Sequence, residues 1–287
     1  MPRPAAMWIP WSPQSPTERR AAMCNPPLGR LTGNRRRRFS AAILAFVGAA
    51  GHAGAGNLQV EPILLEFEHT QPAQILWLSN NGTQPLRAQV RIHQWQQADG
   101  QEQLLPSNAL VASPPMSEIA PGQRQLVRIV REQVPPSARE QAFRLIVDEL
   151  PEPAAPTSAG GLQFLLRHSI PVFVLPAGTR APQPPAGKAA NTDIGLLQGS
   201  WRAQGRSASL TLHNNGTGRI RISQVSWLSA DGRRVDITPG LLGYVLAGQQ
   251  MRWTLSLPEA LAAHGTLHAK LNDDTSAQAL PLAGTDR

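Results

Sequence analysis

From Asn57 onward, apolar and polar residues alternate with a period of two, and turn-forming residues interrupt the pattern roughly every 8–12 positions. The segment 75–79 alternates in this way and ends at the turn Asn-Asn-Gly-Thr, and the segment 86–93 alternates apolar residues with Arg, Gln and His. Such alternation places one side of each segment in a core and the other in solvent. No amphipathic helix of useful length is apparent, so the sequence predicts an all-β fold of sandwich type.

An internal repeat divides the strand-rich part of the chain into two halves. The sequence Leu-Trp-Leu-Ser-Asn-Asn-Gly-Thr at 76–83 recurs as Leu-Thr-Leu-His-Asn-Asn-Gly-Thr at 210–217. One Asn-Gly turn is a common hairpin signal, but the same turn at the same place in two halves predicts two sandwich domains of related build. Pro, Gly, Ala and Lys dominate 177–193, where the apolar periodicity stops. We therefore predict domains at 57–176 and 194–287, joined by a linker at 177–193.

The first 55 residues have the organisation of a leader. Four arginines, Arg35–Arg38, precede an apolar run at 39–50, and Ala53-Gly54-Ala55 supplies the small residues that a signal peptidase reads. A membrane anchor is the alternative, but a bilayer span needs about 20 apolar residues and this run is shorter. We expect cleavage at about 55/56 and export to the periplasm, with no membrane insertion of the mature chain.

The net charge of the chain belongs to this leader. The formal charge is +8, but residues 1–55 contain eight arginines against one acid, Glu18. The remaining residues contain 19 Lys and Arg against 18 Asp and Glu, so the exported part has no electrostatic footprint for nucleic acid. The only cysteine, Cys24, also lies in the leader. We therefore expect neither a disulfide nor a cysteine metal ligand in the exported chain.

The exported part shows no motif of a known catalytic or metal site. It lacks G-x-S-x-G, P-loop, dinucleotide-binding and H-E-x-x-H patterns. His264 and His268 are four residues apart but have no helical context. Asp148 and Glu149 are adjacent, and neighbours on a strand point to opposite faces, so this acidic pair does not converge on one substrate. We predict no enzymatic activity, no metal and no cofactor.

The segment 161–174 carries the most informative apolar pattern. If the segment is extended, one face carries four large apolar residues: Leu162, Phe164, Leu166 and, further along, Ile170. One interpretation is an ordinary last strand whose apolar face lies in the core. The other is an edge strand that lends these side chains to a partner by β-augmentation. A long apolar edge promotes aggregation, so keeping one implies a partner that covers it.

A series of short motifs runs in order along residues 57–283. The series comprises Leu58-Gln59-Val60-Glu61-Pro62, Leu78-Ser79-Asn80-Asn81-Gly82, Ser113-Pro114-Pro115, Ala120-Pro121-Gly122-Gln123, Val127-Arg128, Glu149-Leu150-Pro151, Gly243-Tyr244-Val245-Leu246 and Arg252-Trp253. In this order the motifs resemble the periplasmic chaperones of the chaperone–usher pilus pathway, the PapD-like superfamily. The resemblance is strongest to the archaic branch, which serves spore-coat-U-like pilins.

This resemblance implies a fold, a mechanism and two partners. Family members consist of two immunoglobulin-like domains in an L or boomerang arrangement. They hold pilin-like subunits, each lacking its last strand, by inserting the last strand of their own first domain, and they deliver these subunits to an outer-membrane usher. By this resemblance Leu162, Phe164, Leu166 and Ile170 are the donor side chains. We expect a monomer when the client is bound.

One feature of the family is missing from the sequence. Better-known members bind the terminal carboxylate of the pilin with an Arg in the first strand and a Lys late in the last strand of the first domain. Here the matching segments, 62–65 and 170–173, contain no basic residue. Arg167 and Arg128 are the candidates for a replacement anchor, and solvated strand arginines are the alternative interpretation.

Two other classes of function remain as alternatives. An exported adhesin or structural pilus component would carry its own N-terminal donor extension, whereas Asn57 starts almost directly on a strand. An enzyme would need converging carboxylates or a nucleophile with its base. We therefore predict a non-enzymatic periplasmic chaperone for pilus subunits.

Overall fold

The computed structural model describes residues 57–132, 137–151, 164–179, 194–262 and 264–286. These residues belong to one compact unit, His52–Arg287. The predicted leader at 1–55, with its apolar run and cleavage site, lies outside the described residues, as do Leu162 and most of the predicted linker.

The first half of the described chain forms a sandwich of two sheets. Its strands are β1 (Leu58–Glu61), β2 (Leu65–Phe67), β3 (Ala73–Asn80), β4 (Leu86–Ala98), β5 (Gln101–Pro106), β6 (Leu110–Ser113), β7 (Met116–Ile119), β8 (Arg124–Arg131), β9 (Gln141–Leu150) and β10 (Arg167–Val174). One sheet has the order β1-β3-β8-β6, and the other has the order β2-β10-β9-β4-β5 with β7 also paired to β4. We call the second of these the β10 sheet.

The second half forms another sandwich after a short 3-10 helix, Ile194–Leu196. Its strands are β11 (Leu197–Gln204), β12 (Ser207–Asn214), β13 (Ile220–Ser229), β14 (Arg234–Val245), β15 (Gln250–Ser256), β16 (Gly265–Leu271), β17 (Gln278–Ala279) and β18 (Leu282–Asp286). Its sheets have the orders β15-β12-β11-β18 and β14-β13-β16-β17. Over the described ranges, no helix is long and apolar enough to cross a membrane. The predicted all-β fold with two sandwiches is confirmed.

Each sandwich has its own core, formed by the alternating apolar residues that predicted the strands. In β3, Leu76 and Leu78 are buried while their neighbours are partly exposed, and in β12 Leu210 and Leu212 follow the same pattern. The cores are separate clusters of buried side chains. Burial of a large apolar side chain stabilises a fold by about 1.5–3 kcal/mol, so these cores supply the main driving force in a chain without a predicted disulfide.

The repeated Asn-Asn-Gly-Thr turns have the same hydrogen bonds in both sandwiches. The Asn80 amide donates to the Gln84 and Ile119 carbonyls at 2.8 and 2.8 Å, and its oxygen accepts from the Gly82 N–H at 2.9 Å. The Asn214 amide donates to the Gly218 and Val245 carbonyls at 2.8 and 3.0 Å, and its oxygen accepts from the Gly216 N–H at 2.9 Å. Both asparagines are buried, so each turn is fixed from inside its own sandwich. The two halves therefore share this turn in structure as well as in sequence.

A third cluster of buried side chains joins the two sandwiches. Trp95 and Phe173 of the first sandwich pack against Tyr244 of the second, with ring centroids 5.6–6.0 Å apart. Beside these rings, the Gln97 amide donates to the Tyr244 carbonyl at 2.7 Å and its oxygen accepts from the Leu246 N–H at 2.9 Å. Between the two sandwiches, the cluster therefore combines apolar packing with hydrogen bonds to backbone groups of Tyr244 and Leu246.

A largely buried ion-pair group lies next to the aromatic cluster. Arg219 binds Glu140 at 2.6 Å and also binds Glu66, and its guanidinium lies 3.8 Å from the centre of the Phe173 ring. Burial raises the pKa of Glu140, and the positive charge of Arg219 opposes that rise. Because Glu66 and Glu140 come from the first sandwich and Arg219 from the second, the group ties the two together.

Candidate functional site

The β10 strand has a neighbour along its whole length on one side only. It pairs antiparallel with β9 from Arg167 to Val174. On the other side β2 runs parallel to it and reaches only Val172, Phe173 and Val174. Among the described residues, no strand therefore pairs with this outer edge of β10 between Arg167 and Pro171.

Backbone hydrogen bonds identify the groups that point to this open edge. The Leu166 carbonyl accepts from the Glu149 N–H at 2.9 Å, so even-numbered residues direct their backbone groups towards β9. The Leu175 N–H donates to the Phe67 carbonyl of the β2 side at 2.9 Å, so odd-numbered residues direct theirs outward. The N–H groups of Arg167 and Ser169 therefore face the open edge. Pro171 also lies on this side, where the lack of an N–H group is tolerated.

The four predicted donor residues lie in different environments. Phe164 is 60% exposed and Leu166 is half-buried, and both precede the open part of β10. Ile170 is only 4% exposed and packs with Val172 and Val174 in the core of the first sandwich. Leu162 lies outside the described residues. The structure thus assigns Ile170 to core packing and leaves the exposed apolar side chains at the start of β10.

Two further exposed apolar residues lie around this edge, and the sequence interpretation did not include them. Leu165 is 44% exposed, next to Phe164. Ile63 is 78% exposed in the break between β1 and β2, two residues before Leu65, which pairs with Val172. Ile63 could have been noticed in the sequence as a large aliphatic residue between two strands. An exposed group of large apolar residues beside an open strand edge is typical of an interaction site.

An ion-pair network lies beside the open edge, on the outer face of the β10 sheet. Asp148 of β9 binds Arg91 of β4 and Arg167 of β10. Burial alone would raise the pKa of Asp148, but its hydrogen bonds to Arg167 and Arg91 hold that pKa below the ordinary aspartate value. Asp148 is therefore a carboxylate at neutral pH.

The two predicted anchor arginines do not lie together. Arg167 is bound to Asp148 on the outer face of the β10 sheet. Arg128 is exposed on β8 of the opposite sheet, where it lies across from Ile75 and Ser113 in neighbouring strands. Since the two guanidinium groups belong to different sheets, the structure does not bring them into one fork for a carboxylate.

Arg144 of β9 is a cationic group that the sequence interpretation missed. Its guanidinium lies 3.6 Å from the centre of the Trp95 ring, beside the aromatic cluster between the sandwiches. Its ion pair with Glu102 is long, at 3.5 Å. Burial lowers the pKa of Arg144, and the charge of Glu102 opposes this change. A partly desolvated guanidinium with further N–H donors is well suited to bind a carboxylate. In the sequence, Arg144 stands between the apolar residues Phe143 and Leu145, and this alternation could have indicated an arginine on the outer face of the strand.

The described part of the chain contains no group of three or more His, Cys, Asp or Glu side chains arranged to hold a metal ion. The candidate site consists of an open strand edge, exposed apolar side chains and arginines on the adjacent sheet face. These features suit an extended polypeptide with apolar side chains as the ligand.

Comparisons with known proteins agree with this geometry. Residues 57–180 match the family of pili and flagellar-assembly chaperones through its PapD N-terminal domain. Among curated proteins, no sequence matches the chain significantly.

Three solved structures share the fold. A chain of the CsuC–CsuE chaperone–tip adhesion subunit pre-assembly complex, from the archaic chaperone–usher Csu pili of Acinetobacter baumannii, has a TM-score of 0.59 and 24% identity, and the match covers 78% of this chain and 97% of that one. The YadV chaperone has a TM-score of 0.51 and 20% identity, with coverages of 77% and 96%. A chain of the Salmonella enterica SafA pilin–SafB chaperone complex has a TM-score of 0.50 and 19% identity, with coverages of 75% and 88%.

The family match covers the sandwich that contains the open edge of β10, and the structural matches extend over both sandwiches. The resemblance read from the ordered motifs is therefore confirmed. Residues 57–180 match the PapD N-terminal domain of pili and flagellar-assembly chaperones, and the two-sandwich fold is similar to that of a chain of the CsuC–CsuE complex and of the YadV chaperone.

Proposed function

We propose that this protein is a periplasmic chaperone that holds pilus subunits by donor-strand complementation and delivers them to an outer-membrane usher. The observation that carries the proposal is the open edge of β10, preceded by exposed Phe164 and half-buried Leu166. The family match and the chaperone–pilin complexes among the structural relatives support it. We also propose that the protein has no enzymatic activity, and the match to a family of chaperones supports this.

The donor segment supplies two kinds of contact to a subunit that lacks its last strand. The outward N–H of Arg167 and Ser169 and the neighbouring carbonyls extend the sheet of the subunit, and this pairing depends little on its sequence. Leu162, Phe164 and Leu166 enter the groove that the missing strand leaves. At about 1.5–3 kcal/mol for each buried side chain, they give a substantial gross gain, which ordering costs reduce.

We propose Arg144 rather than the Arg167–Arg128 pair as the group that binds the terminal carboxylate of the pilin. Arg144 lies on the outer face of the β10 sheet beside the aromatic cluster, and its ion pair with Glu102 is long. Arg91 lies on the neighbouring strand of the same face, because its position is paired with Ile146, two residues from Arg144. Replacing the contact with Glu102 by a bidentate carboxylate would satisfy more of the guanidinium donors.

The test is co-expression of the exported chain with a pilin-like subunit encoded beside it, followed by size-exclusion chromatography of the periplasmic extract. We expect a stable 1:1 complex with the wild type and none with Phe164→Asp, because the variant places a charge in the apolar groove. Leu241→Asp is the matched control: it changes an exposed leucine of β14 in the second sandwich, and we expect it to retain capture.

The outcomes separate the competing functions. If the subunit is equally soluble and monomeric without this protein, the chaperone function is wrong and an adhesin or structural pilus component is favoured. If Phe164→Asp unfolds the protein, that residue belongs to the core and the donor segment is wrong. Periplasmic location is tested in the same extract, by comparing the wild type with a variant in which Arg35–Arg38 are replaced by glutamine.

A further inference from the structure

The adjacent acids Asp148 and Glu149 contact Arg167, the first residue of β10, and Leu166, the residue before it. The carboxylate of Asp148 binds the Arg167 side chain with one oxygen and the Arg91 side chain with the other. Glu149 donates its backbone N–H to the Leu166 carbonyl at 2.9 Å and accepts the Leu166 N–H with its side chain at 3.3 Å. Asp148 therefore holds Arg167 through its side chain, whereas Glu149 holds Leu166 through its backbone.

This pair lies where β10 has only one neighbouring strand among the described residues. β2 flanks β10 only from Val172 onward, and β9 is its sole strand neighbour at Arg167 within the described ranges. Asp148 is 8% exposed, whereas the side chains of Arg91 and Arg167 are 44% and 67% exposed. The Asp148 carboxylate, which is the least exposed of the three groups, is therefore the one that both arginines bind. Through it, the ion pairs connect β4, β9 and β10 on the outer face of the sheet.

We propose that Asp148, assisted by Glu149, is a positioning residue that fixes the register in which the donor segment leaves the sandwich. This inference rests on the proposed function. A shift of one residue in a strand turns every side chain to the opposite face. By holding Arg167 and Leu166 against β9, the pair determines that Phe164 and Leu166, rather than Leu165, face the groove of the subunit.

The experiment is a competition for the co-expressed pilin-like subunit between wild-type protein and differently tagged variants, measured as the ratio of captured chaperones. We expect Asp148→Asn to capture about tenfold less subunit than the wild type, which corresponds to about 1.4 kcal/mol. Arg167→Gln removes the partner of Asp148, and we expect a similar loss with no further loss in the double variant, because both changes disrupt one contact. Glu259→Gln, which removes the exposed ion pair to Arg233 in the second sandwich, is the matched control and is expected to compete equally with the wild type.

Two further measurements keep positioning distinct from stability. In Asp148→Asn, hydrogen exchange at the Glu149 amide, which donates to the Leu166 carbonyl, is expected to become faster. The urea midpoint of Arg167→Gln is expected to stay near the wild-type value because that side chain is largely exposed. Equal capture by Asp148→Asn, Arg167→Gln and wild type, with no capture by Phe164→Asp, overturns the positioning role and leaves the proposed function intact. Normal capture by Phe164→Asp overturns the proposed function itself. If Asp148→Asn fails to fold, Arg167→Gln alone decides between these outcomes.

Discussion

The last strands of the two sandwiches differ, although both sandwiches consist of two sheets and contain the same Asn-Asn-Gly-Thr turn. In the first, β10 pairs with β9 over Arg167–Val174, and the preceding sequence at 161–166 is Gly-Leu-Gln-Phe-Leu-Leu. In the second, β16 takes the place of β9. Among the described residues, its side away from β13 is paired only by the short β17, after which β18 joins the other sheet beside β11. The sequence before β17, at 272–277, is Asn-Asp-Asp-Thr-Ser-Ala.

This difference shows that the sandwich fold alone does not create the proposed donor segment. Both sandwiches close their cores and fix their Asn-Asn-Gly-Thr turns in the same way. In the first, an apolar segment leads into a strand with an open edge, whereas in the second a polar segment leads into a strand that soon changes sheet. The proposed function therefore depends on the strand edge and its side chains, which can vary while the fold is kept.

The largest effect is expected at the ion-pair group that joins the two sandwiches. Arg219→Gln leaves Glu66 and Glu140 close together without their cation, in a buried setting. We expect the free energy of unfolding to fall by about 3–5 kcal/mol and the two sandwiches to unfold in separate steps. Urea unfolding followed by tryptophan fluorescence measures this. A single transition at the wild-type midpoint would show that the group does not couple the sandwiches, and Arg233→Gln, at an exposed pair, serves as the control.

The repeated turns allow the two sandwiches to be compared by equivalent changes. Asn80→Ala and Asn214→Ala each remove three hydrogen bonds from a buried side chain. At about 1 kcal/mol for each bond, we expect both variants to lose about 3 kcal/mol of stability. Denaturant unfolding checks the value. Losses that differ greatly between the two would contradict the equivalence of the turns.

A smaller effect is expected from the pH dependence of Asp148. Arg167 and Arg91 hold its pKa below the ordinary value in the folded chain, so its ion pairs stabilise the fold above the unfolded pKa of about 4, and this contribution is lost as the pH falls through the folded pKa. Because both arginines are substantially exposed, we expect Asp148→Asn to lower the free energy of unfolding by only about 1 kcal/mol at pH 7. The difference from wild type should shrink as the pH falls below 4. A difference that is independent of pH from 7 to 3 would assign the effect to packing rather than to charge.

Much of this fold was predictable from the sequence because it depends on local patterns. The alternation around Leu76 and Leu78 gave the buried face of β3, and the repeated Asn-Gly turns revealed the relation between the sandwiches. For the apolar residues at 162–166, the sequence left two interpretations open, an ordinary core strand and an edge strand that binds a partner.

Other features of the site depend on tertiary neighbours and were not predictable. Ile170 has the same alternation as Phe164 and Leu166, but it is buried in the core of the first sandwich. The sequence pattern alone could not show where along this face the core residues end and the donor residues begin. The role of Arg144 depends on Trp95, which is far away in sequence. The sequence predicted Asp148 and Glu149 on opposite faces of a strand, and their contacts with Arg167 and Leu166 became apparent only from the structure.

The most direct test of the donor strand is hydrogen exchange of the protein alone and in complex with a pilin-like subunit. We predict that the outward amides of Arg167 and Ser169 become protected in the complex, because they form hydrogen bonds to a strand of the subunit. The amides of 272–277, at the equivalent position in the second sandwich, should exchange at the same rate in both states. Unchanged exchange at Arg167 and Ser169 in a stable complex would contradict donor-strand pairing and place the subunit elsewhere on the chaperone.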